Sequence, residues 1–189
     1  VSMSGTIVFE GEDPQKPEDA SRVNVMVASA AREATSALEM LAGMMQTSGG
    51  RATKERTFKV NGLVPDTYRA SFMPPGVMSP LFGMTVSAGG WVLKSAMLNG
   101  KDLADLPVDV RNEDITGIVV TFTKAVTEIS GRVMDASGRG VAGFPIVVFP
   151  TDRALWHGGS RRILPGKPAS DGAYKITGLP AGEYYVCAL

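Results

Sequence analysis

The chain has 189 residues, and its 19 lysines and arginines balance its 19 aspartates and glutamates, so that its formal net charge is zero. Binding to nucleic acid or to an anionic membrane depends on a surplus of basic residues, and this chain has none. Hydrophobic residues make up 44% and charged residues 20%, which is typical of a folded globular protein. The composition therefore excludes nucleic acid as a partner and favours a chain that folds.

The counts of special residues exclude further classes of protein. With 22 glycines, 12 prolines and 7% aromatic residues, many short elements joined by turns are favoured over long helices. The single cysteine, Cys187, excludes an internal disulfide, and the single histidine, His157, excludes a histidine-based metal cluster. Because there is neither an apolar run near the ~18 residues of a spanning helix nor a glycine-rich phosphate loop, we expect no membrane-spanning segment and no cofactor.

The first part of the chain contains several short strand patterns. Strand-like runs occupy residues 4–10, 23–27 and 58–60, and two further runs of high β propensity follow at residues 91–98 and 115–123.

Residues 28–46 interrupt this strand pattern. Apolar residues of good helix propensity recur there at helical spacing, at Ala31, Ala34, Leu38, Leu41 and Met45. We predict a short helix inserted between two strands of the first module, and the alternative is an irregular loop rich in alanine and methionine. The methionines would either face the core or line an adaptable contact surface.

The rest of the chain has the pattern of strands and tight turns. Residues 127–134 form a β-branched run, which a turn cluster separates from the apolar run at residues 144–149. Asp171 and Gly172 favour a tight hairpin, and residues 184–189 are predicted to form a last strand.

Three segments recur in the same order along the chain, and the corresponding pairs are residues 4–8 with 130–134, 23–27 with 144–148, and 58–68 with 174–184. The last pair aligns without a gap. This repetition predicts two copies of one fold, residues 1–124 and residues 125–189. Short strands at this spacing favour sandwiches, so we predict an all-β protein of two tandem antiparallel, Ig-like β-sandwich modules.

The motifs of the second copy resemble those of a known family. They are SGRV at residues 130–133, DGAY at 171–174 and GLPAGEY at 178–184. In this order they resemble the carboxypeptidase regulatory-like domain, one of the transthyretin-like (prealbumin-like) β-sandwiches, whose relatives include the B-type repeats of bacterial surface adhesins. The first copy is similar more loosely, since Asp-Thr-Tyr at residues 66–68 replaces the usual Pro-Gly-x-Tyr turn.

The resemblance implies a role without catalysis. Modules of this family stabilise, space or present neighbouring domains, and some bind glycans or protein partners. It also implies an extracellular, cell-surface or periplasmic location in bacteria. The family's domain continues beyond the strand that corresponds to residues 184–189, so we expect the second module to lack its last strand or strands and to leave a sheet edge open.

The reactive residues do not form a catalytic pattern. His157 lies in a turn-like stretch, and the sequence has no Gly-x-Ser-x-Gly elbow. Cys187 lies in an apolar strand, where a buried, unreactive thiol is expected. The acidic residues near the start lack the spacing of a known calcium loop and favour a solvated turn over a metal site; they are Glu10, Glu12, Asp13, Glu18 and Asp19. We therefore expect no enzyme activity and no bound metal.

The candidate ligand-binding residues are Trp156, Arg161 and Arg162. Together with Arg153 they would form a platform that stacks a sugar ring or holds a carboxylate, and Trp91 would form a second platform. The alternative is that each tryptophan covers the open end of its own sandwich.

Two hypotheses for the function follow. In the first, the open edge of the second module pairs with a strand of a neighbouring module or chain, and head-to-tail pairing of identical chains builds a filament or rod. In the second, the chain is an accessory glycan- or substrate-binding module attached to an enzyme or an outer-membrane transporter. The expected partners are thus a protein, further copies of the chain, or carbohydrate.

Overall fold

The computed structural model describes four stretches of the chain, residues 1–13, 18–30, 48–74 and 90–189. Strands dominate these residues, and most of the strand pairs are antiparallel. The all-β fold class predicted from the sequence is therefore confirmed. The chain divides into two compact units, Val1–Lys124 and Ala125–Leu189.

The described residues of the first unit form nine strands in two sheets. The strands are β1 (Met3–Glu10), β2 (Asn24–Ser29), β3 (Ser48–Arg51), β4 (Thr57–Val60), β5 (Asp66–Met73), β6 (Val92–Leu98), β7 (Lys101–Asp102), β8 (Val108–Val110) and β9 (Ile115–Thr123). One sheet has the strand order β4-β1-β9-β6-β7, and the other has the order β3-β2-β5-β8. Both sheets contribute side chains to one hydrophobic core, which makes this unit a β-sandwich.

The core of the first unit follows from the alternation of side chains along its strands. In β1 the residues Ile7 and Phe9 are buried, whereas their neighbours on the strand are exposed. The ring of Phe9 stacks against Phe122 of β9 with centroids 5.6 Å apart, and it meets the ring of Trp91 edge-on at 4.9 Å. These aromatic contacts join the strands of the five-stranded sheet to the segment that precedes β6.

One strand pair differs from the predicted antiparallel arrangement. Strands β1 and β9 run parallel, with Ile7 opposite Val120 and Phe9 opposite Phe122. Parallel neighbours need a long connection, and most of the first unit lies between these two strands. The run of β-branched residues at 115–123 predicted the strand correctly but carried no information about its direction.

The second unit is described throughout and contains five strands, which are β10 (Glu128–Arg132), β11 (Ile146–Pro150), β12 (Leu164–Gly166), β13 (Ala173–Thr177) and β14 (Tyr184–Ala188). Strand β10 pairs with β13, and a separate three-stranded sheet has the order β12-β11-β14. The buried residues of its small core are Ile146, Val148, Ile176 and Leu179.

The strand pairings of the second unit follow those of the first in pairs of which at least one member belongs to a segment that recurs in the sequence. Ser4 lies opposite Lys59 in the first unit, and Ser130 lies opposite Lys175 in the second. The same agreement holds for two further strand pairs, with Val27–Ala70 corresponding to Val148–Val186, and Val25–Gly50 to Ile146–Gly166. Strands β10 to β14 therefore correspond in order to β1 to β5.

The helix predicted over residues 28–46 is wrong at its start. Ala28 and Ser29 belong to β2, where they lie opposite Arg69 and Tyr68 of β5. Pairing with a neighbouring strand outweighs the helix propensity of a short alanine-containing stretch. The remainder of the predicted helix, from residue 31 onward, lies outside the described residues.

Helices are short in the part of the chain that the structure describes. The 3-10 helices Ala20–Arg22 and Arg153–Leu155 have three residues each. A search of the described residues finds no helix with the length and apolar character needed to cross a membrane.

Candidate interaction surfaces of the second unit

Strand β14 lies at the edge of its sheet, with β11 as its strand neighbour. Its counterpart β5 lies between two strands, since β5 pairs with β2 on one side and with β8 on the other. In the pairing with β8, Tyr68 lies opposite Val108. The residue of the second unit that corresponds to Tyr68 is Tyr184, and no strand among the described residues lies on that side of it.

Apolar side chains are exposed along this edge. Val186 of β14 is 45% exposed, although Val148, which lies opposite it in β11, is fully buried. The counterpart of Val186 in the first unit, Ala70, is only 7% exposed. The residues that the structure describes thus leave the core of the second unit incompletely covered beside β14.

The hydroxyl group of Tyr184 fixes the start of β14. It donates a hydrogen bond to the carbonyl of Pro180 at 2.7 Å and accepts one from Nη1 of Arg162 at 2.9 Å. The same Nη1 donates to the carbonyl of Ala181 at 3.0 Å. In the first unit the hydroxyl of Tyr68 likewise donates, at 3.1 Å, to the carbonyl four residues before it. The edge strand is therefore held in place by its own unit.

The composition of β14 differs from that of the other edge strands. Proteins usually prevent edge strands from pairing with foreign strands by means of a charged residue or a proline. The other edge strands among the described residues all contain one, as shown by Arg51 of β3, Lys59 of β4, Lys101 of β7, Asp109 of β8, Glu128 of β10, Pro165 of β12 and Lys175 of β13. Strand β14 has the sequence Tyr-Tyr-Val-Cys-Ala and contains neither kind of residue.

Three aromatic side chains form a cluster on the outward face of the same sheet. Phe149 of β11 lies opposite Tyr185 of β14, with ring centroids 5.4 Å apart, and the ring of Trp156 meets Phe149 nearly at a right angle at 5.3 Å. Tyr185 is 54% exposed and Trp156 is 44% exposed. We refer to Phe149, Trp156 and Tyr185 as the aromatic face.

The 3-10 helix Arg153–Leu155 places Trp156 at the rim of the aromatic face. The side chain of Asp152 caps this helix by accepting a hydrogen bond at 2.9 Å from the amide two residues later. The indole Nε1 of Trp156 donates to the carbonyl of Pro150 at 2.7 Å, and the guanidinium carbon of Arg153 lies 5.5 Å from the centre of the indole ring. The orientation of the ring is therefore fixed by its own polar group.

The predicted platform residues fall into two different sites. Trp156 lies on the aromatic face, and the cation that contacts it there is Arg153. Arg162 is instead part of the hydrogen-bonded anchor of Tyr184, and Arg161 is half-buried. Because an anchoring arginine shows no distinctive spacing in the sequence, its role was not predicted; the tyrosine that it contacts belongs to the recurring segment.

The second platform predicted at Trp91 is wrong. Its side chain is fully buried in the core of the first unit. The ring packs against Phe9, and Nζ of Lys124 lies 4.5 Å from its centre. A buried tryptophan cannot stack a ligand at the surface.

The acidic residues near the start of the chain are used within the first unit. Glu12 accepts two hydrogen bonds from the guanidinium of Arg56, at 2.5 and 2.7 Å, and these hold the pKa of Glu12 below its usual value. Glu10 accepts from Lys94 at 2.6 Å, and Asp19 accepts from the amide at the start of a 3-10 helix. Across the described ranges, no group of three or more His, Cys, Asp or Glu residues could hold a metal ion.

Of the two residues that were weighed for catalysis, His157 lies in a loop and Cys187 lies in β14. Nδ1 of His157 lies 3.0 Å from the carbonyl of Gly158. The thiol of Cys187 is half-buried and not fully buried as predicted, because the edge strand β14 exposes part of both its faces.

No protein-family model and no curated protein sequence matches this chain. Solved structures to which it is similar include the Bacillus anthracis TIE protein (13% identity, TM-score 0.34), a streptococcal ancillary pilin (16%, 0.36) and the pilus backbone of Streptococcus pneumoniae (12%, 0.31). These matches cover 100% of this chain but 28%, 53% and 53% of the other chains, respectively.

Proposed function

We propose that the chain is a non-catalytic structural segment of an extracellular bacterial protein, in which the edge of β14 pairs with a strand of another copy of the chain. The observation that carries the proposal is the composition of β14, which lacks the charged residue or proline found in the other described edge strands. The bacterial extracellular location is supported by the family that residues 130–184 resemble.

Comparison with the first unit indicates what the pairing would supply. There the second neighbour of β5 is β8, whose residues Val108 and Val110 are buried against the core. A strand beside β14 would likewise cover Val186 and would bind the free backbone groups of the edge. Main-chain hydrogen bonds give affinity in this type of recognition, and each Å² of apolar surface buried contributes about 25 cal/mol.

The geometry of self-pairing decides the kind of assembly. Pairing of β14 with the same strand of a second chain would close into a dimer, whereas pairing with a different strand is head-to-tail and builds a filament or rod. A filament needs a strand other than β14 as the partner, as in the first unit, where the strand beside β5 is β8 and not a copy of β5.

The proposal is tested by Val186→Lys, which places a charge on the exposed edge. We expect the wild-type chain to increase in mass with concentration in light scattering and the variant to remain monomeric. The control is Val119→Lys in β9, because Val119 is similarly exposed at 40% but its strand is paired on both sides. This control should associate like the wild type.

Either of two results contradicts the proposal: a wild-type chain that is monomeric at every concentration, or an association that Val186→Lys leaves unchanged. Electron microscopy of the associated wild type distinguishes filaments from closed dimers. The two tryptophan indole N–H signals in NMR spectra, one from each unit, show whether each variant is folded.

The aromatic face supports a second role, that of an accessory glycan- or substrate-binding module attached to an enzyme or an outer-membrane transporter. The supporting observation is that Trp156 is 44% exposed while its hydrogen bond to Pro150 fixes the ring. A soluble glycan that changes the fluorescence of Trp156 would support this role, and unchanged fluorescence would count against it.

A further inference from the structure

We propose that the aromatic face binds an acidic sugar, with the pyranose ring stacked on Trp156 and Tyr185 and its carboxylate held by Arg153. The inference rests on the second role proposed above, glycan binding, and is independent of strand pairing at β14. It specifies the chemical class of the ligand and replaces Arg161 and Arg162 with Arg153 as the residue that holds its charge.

The aromatic face is not a requirement of the fold. In the first unit, the residues that correspond to Phe149 and Tyr185 are Ala28 and Arg69, which also lie opposite each other. The same strand register is therefore compatible with a small residue and a charged one. The second unit instead exposes two aromatic rings on this face, those of Tyr185 and Trp156. Folding does not require them, whereas a binding surface would.

The aromatic face is rigid and apolar in its centre. Because Nε1 of Trp156 is bonded to the carbonyl of Pro150, the polar atom of the indole is already satisfied and the exposed part of the ring is hydrocarbon. The ring of Phe149 contacts the rings of both Trp156 and Tyr185 and so supports each of them. A surface fixed in this way loses little conformational entropy on binding.

The charge beside Trp156 determines the class of sugar. The guanidinium of Arg153 is exposed and lies over the ring of Trp156, and the ion pairs among the described residues do not include it. The nearest acid in sequence, Asp152, uses one carboxylate oxygen to cap the 3-10 helix. Arginine matches the planar, two-oxygen geometry of a carboxylate, so a ring that carries a carboxylate fits this site better than a neutral ring.

A pyranose ring matches the aromatic face better than an extended peptide does. A pyranose has an apolar face of C–H groups and a rim of hydroxyl groups, and the aromatic face combines three aromatic rings with two polar groups, the Tyr185 hydroxyl and the Arg153 guanidinium. Ligand sites usually combine a mainly apolar lining with a few such polar groups.

The test compares tetragalacturonic acid with its methyl ester by isothermal titration calorimetry on the full chain. The two ligands have the same rings and differ in charge. We expect the acid to bind more tightly, and Arg153→Gln to weaken the acid about tenfold while leaving the ester unchanged. Trp156→Ala should weaken both ligands by about tenfold or more. The control is Arg139→Gln, which removes an equal charge from an exposed turn of the same unit.

Each other outcome is informative. Equal binding of acid and ester, unaffected by Arg153→Gln, overturns the acidic sugar and leaves the glycan-binding role intact. If neither ligand binds, the acidic sugar and the glycan-binding role are both overturned, and the proposed strand pairing at β14 is unaffected. If Trp156→Ala abolishes self-association of the chain, the aromatic face serves a protein partner and the inference is wrong.

Discussion

The two units share their strand registers but differ in how their sheets are completed. In the first unit β1 and β5 each have two strand neighbours, whereas their counterparts β10 and β14 each have one among the described residues. Core-facing residues differ accordingly, since Ile7 of β1 is buried and its counterpart Val133 is half-buried. Register thus depends on features repeated in both units, such as the tyrosine anchor, while burial depends on the strands added after them.

The sharpest test of this difference removes one aromatic ring from each unit. Phe122→Ala deletes a fully buried ring that stacks on Phe9, and we expect it to lower the free energy of unfolding of the first unit by about 3–5 kcal/mol. Tyr185→Ala deletes a ring that is 54% exposed, and the expected loss for the second unit is about 1 kcal/mol or less. Urea titrations followed by the separate indole N–H signals of Trp91 and Trp156 measure both units in one sample.

Losses of equal size would contradict the view that the outward aromatic face is dispensable for folding. They would also remove the argument that this face exists for binding.

Much of this architecture could be predicted from the sequence, because it depends on local patterns. Runs of strand-forming residues identified β1 and β9, an apolar run identified β11, and the recurring segments identified residues that share a register. Very short strands were missed: β3 is rich in glycine, β7 has two residues and β12 contains a proline, so none has a run of β-forming residues. These strands form because a neighbour supplies the hydrogen bonds.

The second test uses a pair of glycines at corresponding positions. A Cβ atom added to Gly5 would lie 2.1 Å from the carbonyl oxygen of Ile118, which belongs to the backbone of β9. At Gly131 the nearest atoms belong to the side chain of Tyr174, which can rotate away. We expect Gly5→Ala to destabilise the first unit by about 2–3 kcal/mol and Gly131→Ala to destabilise the second by about 1 kcal/mol or less.

Hydrogen exchange measured by mass spectrometry reports on β4 and β13, the strands that lie opposite these glycines. The expected result is faster exchange in β4 of the Gly5→Ala chain, without a comparable change in β13 of the Gly131→Ala chain. A comparable loss of protection in β13 of the Gly131→Ala chain would mean that another backbone lies against β10, so that the second unit is completed in the same way as the first.

The candidate site was predictable only in part. Trp156 was singled out because three arginines that could complete a binding platform lie near it in the sequence, namely Arg153, Arg161 and Arg162. Its partner Phe149 looked like an ordinary core residue, since every second position of β11 is buried and only the strand pairing shows which face it occupies. The unprotected edge of β14 became visible only when all edge strands could be compared.

The third test concerns ion pairs, where the two units should differ least. Glu12 and Arg56 form a partly buried, two-bonded pair in the first unit, while Glu128 and Lys175 form an exposed pair in the second. We expect Glu12→Gln to cost about 1–2 kcal/mol at pH 7, and the matched Glu128→Gln about 0.5 kcal/mol or less, because water and salt screen an exposed pair. The indole signals in urea titrations again separate the two units.

The effect of pH follows from the lowered pKa of Glu12, which arises first from its hydrogen bonds with Arg56. A carboxylate whose pKa is lower in the folded state stabilises the fold above its unfolded pKa, about 4.3 for glutamate, and loses this contribution as the pH falls through the folded value. The difference in stability between the wild type and Glu12→Gln should therefore be constant from pH 7 down to about pH 5 and shrink in more acidic solution. A difference that persists unchanged at pH 2 would show that the Glu12–Arg56 pair acts through packing and not through charge. The charge of the ion pair would then contribute little to stability in either unit.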